Sequence, residues 1–288
     1  MDFAYARPGS LADTLAVLDG NPGARLLAGG QSLLTQLKTR TVAPDVVVDI
    51  GGLDELRAIR LEDDRLVIGA MVTMASLTRD AAVARAVPIL PLVLRHVADV
   101  QVRNRGTLGG SLAYADPSGD LAGAAIASGA SVRLASSAGE REVPVAELYT
   151  GPFRTVLRAG EVLTAVSLPR RDGARASYGA VARRPADPTL AGVAVVADVD
   201  GGTVTELAIG LVGLGDRPLP APRTAAAVRG RPLGDETIAA ARAELDAEIA
   251  PLDSTAGSAD YRRAVAPVAL ERALREAVGD DAGVEGNG

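Results

Sequence analysis

The chain has no cysteine, which excludes disulfides, thiol nucleophiles, cysteine-held zinc and iron–sulfur ligation by its own side chains. Its one histidine, His96, leaves no way to build a two-histidine metal motif. Lys38 is the sole lysine, so a phosphate loop ending in Gly-Lys-Ser/Thr is absent and Schiff-base chemistry has a single amine to work with. Tryptophan is absent, and two Phe and five Tyr are too few for a base-stacking platform. Against 30 Lys+Arg stand 36 Asp+Glu, and the formal charge of −6 opposes a general role on nucleic acid or anionic membranes. No apolar run approaches the roughly 18 residues of a membrane span. The start, MDFAYARPGS, carries no leader pattern, and a cytoplasmic location is expected. What is present is length and apolar content: 288 residues at 48% hydrophobic can bury a sizeable core in two domains.

The patterning divides the chain. Ser10 is a hydroxyl N-cap before Leu11, Leu15 and Leu18, with Gly20 as the stop. A short strand is expected over Arg25 to Ala28, a helix over Ser32 to Thr39 and a buried strand over Val46 to Ile50. Residues 57–61 and 65–69 flank a polar turn, a hairpin signature. Helices are expected over Thr73 to Val87 and Ile89 to Val97, separated by Pro88. A polar, glycine-rich passage follows from Arg103 to Asp120, then a helix to Ser128, a hairpin over 131–143 and a strand over Val162 to Leu168. The charged segment Pro169 to Gly173 is the expected domain boundary, giving domains 1–172 (subparts 1–55 and 56–172) and 173–288. Beyond it, strands over 175–182, 192–199 and 204–212 precede helices over 235–249 and 259–278, the latter interrupted at Pro267. Residues 280–288 are expected to fray.

Two segments stand out: Ala28-Gly29-Gly30-Gln31-Ser32 and Thr107-Leu108-Gly109-Gly110-Ser111. Glycine permits positive φ and close backbone approach, and successive amides can converge into an anion nest. Ser32, Thr107 and Ser111 add hydroxyl donors, so two such nests could clamp a diphosphate without lysine. Behind the second lie Asp116 and Asp120, which either hold ribose hydroxyls or serve as cap and first-turn acids of the next helix; both readings stay open. Arg103 and Arg105 are phosphate partners or surface charges, Met71 and Met74 core filler, and His96 a structural or interface histidine.

These strings, AGGQSLL at 28–34 and VADVQVRNRGTLGGSLAYADPSGDL at 97–121, together with VVVDI, LVIGAMVTMASL, GEVLTAVSLP and YRRAVAPVALERAL, closely resemble the FAD-binding (medium) subunit of molybdenum hydroxylases of the carbon monoxide dehydrogenase and xanthine dehydrogenase type. The resemblance covers nearly the whole chain. It implies an α+β fold: a two-part FAD-binding domain of the PCMH/vanillyl-alcohol-oxidase type followed by an α+β domain with an antiparallel sheet and helices. Carried over position by position, it assigns FAD contacts to Leu27, Ala28, Gly29, Gly30, Gln31, Ser32 and Leu33, and to Thr107, Leu108, Gly109, Gly110 and Ser111. Asp116, Asp120, Leu163 and Arg184 complete the set.

The implied activity is that of an oxidoreductase subunit. Electrons reach FAD from iron–sulfur clusters (2Fe–2S) on a small subunit, after substrate oxidation at a molybdenum cofactor on a large subunit, and leave to a quinone, NAD or oxygen. A dimer of heterotrimers is expected. No side chain of this chain is assigned a catalytic role or a metal. Pro188 stands where many relatives carry an aromatic residue after the acid matching Asp187, and no cysteine-bearing loop for an extra cluster is present. The alternatives are a stand-alone flavin reductase or oxidase of the same fold, for which the sequence offers no acid/base set, and a binding module that has lost its cofactor, against which the intact glycines speak.

Overall fold

The computed structural model describes residues 2–279. Three short strands, β1 (Ala4–Ala6), β2 (Arg25–Leu27) and β3 (Val46–Asp49), form a parallel sheet in the order β1-β3-β2. Helices α1 (Leu11–Asp19) and α2 (Leu33–Lys38) make the crossovers. Ser10 caps α1, its hydroxyl accepting from the Asp13 amide. Leu18 packs on Val48 and on Val162 of the next unit, which fixes this small layer to the rest of the fold.

The second unit is a five-stranded antiparallel sheet of order β4-β5-β10-β6-β7, from β4 (Ile59–Glu62), β5 (Arg65–Gly69), β6 (Ser131–Ser136), β7 (Gly139–Pro144) and β10 (Val162–Pro169). A side hairpin of β8 (Tyr149–Gly151) and β9 (Arg154–Thr155) follows α9 (Val145–Leu148). Between β5 and β6 come α3 (Met74–Arg79), α4 (Ala81–Ala86), α5 (Ile89–Leu94), α6 (Val100–Arg105), α7 (Leu108–Tyr114) and α8 (Asp120–Ala127). The helix expected over 73–87 is two helices. Asp80 is extended (ψ 114) and its carboxylate caps the second, accepting from the Ala82 and Val83 amides. The polar, glycine-rich passage 103–120 is largely helical. Asp99 caps α6 and Thr107 caps α7, so two local side-chain caps override the glycine content.

The third unit is an antiparallel sheet, β11 (Arg175–Val181), β12 (Ala191–Asp200), β13 (Thr203–Val212) and β14 (Leu219–Pro220), with α10 (Pro222–Val228), α11 (Asp235–Glu248) and α12 (Ala259–Val278). Gly201 and Gly202, both at positive φ, make the tight β12–β13 turn. Along β12, Val193, Val195 and Ala197 face α10–α12, while Ala194 and Val196 join the core of the second unit. The sheet is buried on both faces, which explains its unbroken apolar sequence. Gly210 permits this: a Cβ there would lie 2.0 Å from the Gly123 carbonyl oxygen of α8. Pro267 does not interrupt α12. Burial of Ala266, Ala269, Leu270, Ala273 and Leu274 outweighs a proline cost of about 3 kcal/mol.

Candidate functional site

All three parallel strands end at one place. Arg7 follows β1, Ala28 to Gly30 follow β2, and Asp49 closes β3 just before Gly51; together they line a cleft of about 470 Å³. Ligand clefts of open parallel sheets lie at these carboxyl ends. Leu27, Leu34, Arg57, Met71, Thr73, Asn104, Arg105 and Thr107 complete the walls. Asp49 is already satisfied, its carboxylate accepting from the Tyr5 hydroxyl at 2.6 Å and the Gly51 amide at 2.7 Å. Arg57 is oriented by the Gly51 and Met71 carbonyls. Three arginines against one engaged carboxylate leave the cleft electropositive, on a chain whose net charge is negative.

The two glycine segments meet here but are built differently. After β2, Gly30 turns at φ +77 into α2. Among the described residues, the amides of Gly29, Gly30, Gln31, Ser32 and Leu33 donate to no group of the chain, and the Ser32 hydroxyl makes no cap bond. At the other segment the amides from Leu108 to Ser111 are all engaged. Leu108 donates to the Val72 carbonyl, Gly109 to Ala70, Gly110 to the Thr107 hydroxyl and Ser111 to the Thr107 carbonyl. The expected second amide nest is therefore not formed. These donors hold α7 against β5 and its following turn, and Thr107 is the one residue of the segment that lines the cleft.

Gly29 and Gly109 are packing glycines. A Cβ on Gly29 would sit 2.1 Å from the Arg105 carbonyl oxygen, and one on Gly109 would sit 2.5 Å from the Ala70 Cβ. Leu108 is core, and so is Leu163, which pairs with Leu134 across β10 and β6 and lines neither cleft. Arg103 reaches back to the Val97 and Ala98 carbonyls, whereas Arg105 lines the cleft. Met71 is buried under the cleft, and Met74 packs on Gly106.

Asp116 and Asp120 lie past the far end of α7. The Asp116 carboxylate accepts from the Ser118 amide, and burial pushes its pKa above the usual carboxylate range. Asp120 opens α8. Its Oδ1 accepts from the Thr189 hydroxyl at 2.6 Å and from the Tyr178 hydroxyl. Burial pushes Asp120 up, opposed by those two donors. Neither residue caps α8, whose N-cap is Gly119, so the cap reading of Asp116 fails and Asp120 is a first-turn acid. A second, smaller cleft of about 240 Å³ adjoins Thr189 and contains His96, Arg95, Arg183 and Arg184. His96 meets the Tyr178 ring edge-on, with centroids 5.3 Å apart. Sequence reasoning missed Arg7, Arg57 and Asn104 in the first cleft, and Tyr178 and Thr189 beside Asp120. The strand–glycine, strand–Arg and strand–Asp endings of the parallel layer were the available signal.

Amides open at a strand-to-helix turn with arginines in the same cleft are chemistry that can take an anion such as a phosphate. The donor set fits the diphosphate of a dinucleotide. Residues 1–171 match the family model described as the FAD binding domain in molybdopterin dehydrogenase, and residues 176–277 the CO dehydrogenase flavoprotein C-terminal domain. The chain is 34% identical to the glyceraldehyde dehydrogenase medium chain of Sulfolobus acidocaldarius, over 96% of this chain and 98% of that one. It is 35% identical to the carbon monoxide dehydrogenase medium chain of Afipia carboxidovorans, over 96% of each. The solved carbon monoxide dehydrogenase from Hydrogenophaga pseudoflava that lacks the Mo-pyranopterin moiety superposes at a TM-score of 0.94, with 35% identity, covering 96% of this chain and 97% of its own. The chain belongs to the FAD-binding medium subunits of molybdenum hydroxylases, a family of oxidoreductases. No helix among the described residues is long and apolar enough to cross a membrane.

Proposed function

We propose that this chain is the electron-transfer flavoprotein of a heterotrimeric molybdenum hydroxylase, with domains 1–172 and 173–288, working beside a small iron–sulfur subunit and a large molybdenum subunit. The observation that carries the reading is the row of uncommitted amides from Gly29 to Leu33, which begins in the cleft wall at Gly29 and Gly30 beside Arg7, Arg57 and Arg105. We assign the FAD diphosphate to that row and to the Ser32 hydroxyl. Thr107, whose oxygen accepts from the Gly110 amide, retains its O–H to donate. Gln31 is tied back to the Gly29 carbonyl and stiffens the turn. Asp116 and Asp120 are assigned to sugar or polyol hydroxyls, and Arg184 to the second cleft's side of the cofactor.

The chemistry FAD supplies when bound is the collection of electrons from iron–sulfur clusters on a partner and their delivery to an external quinone, NAD or oxygen. This chain's residues bind and orient; with no cysteine it offers no thiolate to an iron–sulfur cluster. The test is purification on a tag placed on this chain, with the partners co-expressed. The expected preparation shows flavin and iron–sulfur absorbance and two further subunits at matched stoichiometry. Flavin with turnover by the single chain would replace this reading with a stand-alone flavoenzyme. A colourless chain that takes up no added FAD would overturn it.

A further inference from the structure

We propose that Tyr178 and Thr189 are positioning residues for Asp120: from β11 and from the loop leading into β12 they lock one carboxylate oxygen so that the other is presented as a fixed acceptor to a hydroxyl of the bound dinucleotide. This rests on the FAD reading above. Both hydroxyls donate to Oδ1; Oδ2 has no partner among the described residues and is not among the buried unpaired atoms. An acid in the first turn of a helix is already favoured by the helix dipole and needs no such partners. Two donors on one oxygen remove the rotational freedom of the carboxylate, which lowers the ordering cost of whatever the second oxygen accepts.

The donors are themselves fixed. Tyr178 is buried on β11, its ring against His96. Thr189 is 3% exposed, and the segment after it is pinned by the Leu190 amide on the Val181 carbonyl. Arg262, 4% exposed and in no ion pair among the described residues, donates from α12 to the Leu190 and Gly213 carbonyls and to the Ser254 hydroxyl. A buried arginine held by these carbonyls and by the Ser254 hydroxyl is a clamp on this corner of the fold. The cluster thus joins the helix that follows the second glycine segment to the C-terminal sheet, giving that sheet a direct part in cofactor retention.

The charged and titratable groups around Asp120 are His96 and Arg95 after α5, Asp116 on the preceding turn, Arg183 and Arg184 in the adjoining cleft, and Tyr178 itself. Burial raises the Asp120 pKa; the Thr189 and Tyr178 donors and the His96 charge lower it, and Asp116 raises it further. Removing the Tyr178 hydroxyl therefore moves its titration upward.

The test is FAD affinity against pH in the full complex, for wild type, Tyr178→Phe, Asp120→Asn and the double variant. Tyr178→Phe keeps the ring and its His96 contact. We expect FAD binding weakened roughly tenfold, the loss of one hydrogen bond to a charged group. We also expect the acid limb of the affinity profile to start at higher pH than in wild type. Asp120→Asn removes that limb, and adding Tyr178→Phe to it changes affinity no further. Tyr178→Phe with wild-type affinity and an unmoved acid limb, whether or not its melting temperature falls, would overturn the proposal and leave a structural tether. Wild type that binds no FAD would overturn instead the reading beneath it.

Discussion

The turn after β2 and the turn into α7 each carry a Gly-Gly pair with a serine close behind, and the two backbones are used in opposite ways. From Gly29 to Leu33 the amides meet no acceptor among the described residues, because the parallel strand has ended and Leu33 is only the first residue of α2. From Leu108 to Ser111 each amide has one, because the β5 end and its following turn supply the Val72 and Ala70 carbonyls and Thr107 caps its own helix. Under the proposed function the first segment is the receptor and the second the wall that holds it. Their contact is backbone to backbone, Gly29 on the Arg105 carbonyl, with Ala28 beside Gly110. A short glycine string thus specifies close approach; the surrounding strand ends decide whether its donors remain for a ligand.

The largest expected effect breaks that contact. In Gly29→Val the Cβ would lie 2.1 Å from a carbonyl oxygen and 2.8 Å from its carbon, and neither can yield as a flexible side chain would. Overpacking of this kind costs about 3 kcal/mol or more. The variant should lose FAD and several degrees of melting temperature together, measured by flavin release and thermal denaturation. Retention of stoichiometric flavin would show that the two segments are not packed as described.

Gly110→Val separates the roles further. Its Cβ would meet the Thr107 Oγ1 at 2.7 Å, displacing the cap hydroxyl, and its methyls would reach toward Ala28, 3.6 Å away. Loss of an N-cap costs about 1 kcal/mol. We expect the C-terminal sheet and helices to stay folded by circular dichroism and limited proteolysis while the bound FAD is lost. Stoichiometric flavin in this variant would show that the wall tolerates a side chain there.

Much of this was legible beforehand, and the misses have physical causes. Alternation and apolar runs located β5, β10, β12 and β13, because each is buried by a core the composition could fill. Ser10 and Gly20 bounded α1 through cap chemistry that is local in sequence. The helices of 100–114 were missed because glycine propensity was weighed without the Asp99 and Thr107 caps, and α10 because its alanines gave no periodicity. The continuity of α12 through Pro267 depends on a sheet face supplied by residues far away in the chain. At the site, the glycines were visible, but whether their amides were engaged depended on carbonyls at 70 and 72, which no local pattern reports. Tyr178 and Thr189 act on Asp120 from 58 and 69 residues away.

The hydroxyls at the two segments should differ in what they change. Thr107→Val removes the acceptor of the Gly110 amide and should lower stability by about 1 kcal/mol. Ser32→Ala removes a hydroxyl that makes no cap bond, so stability should hold while FAD affinity falls by about 1 kcal/mol, close to fivefold. Equal melting-temperature losses in the two variants would erase the distinction.

The smallest and sharpest comparison lies in two arginines of the same helix. Arg103 donates to the Val97 and Ala98 carbonyls at 2.8 and 2.7 Å, and Ala98 is held at φ +43, a conformation that an alanine seldom adopts unaided. Arg105, two residues on, has its side chain in the cleft wall. Arg103→Gln should therefore destabilise the fold by about 1 kcal/mol and leave the salt dependence of FAD binding unchanged. Arg105→Gln should leave the melting temperature alone, weaken FAD by severalfold at low salt and flatten the salt dependence, because an exposed charge acts through a screened field. Titrating FAD at two ionic strengths, beside thermal melts, reads both. The opposite assignment of the two outcomes would mean that the α6 end is turned the other way, and with it the wall on which the Gly29 turn rests.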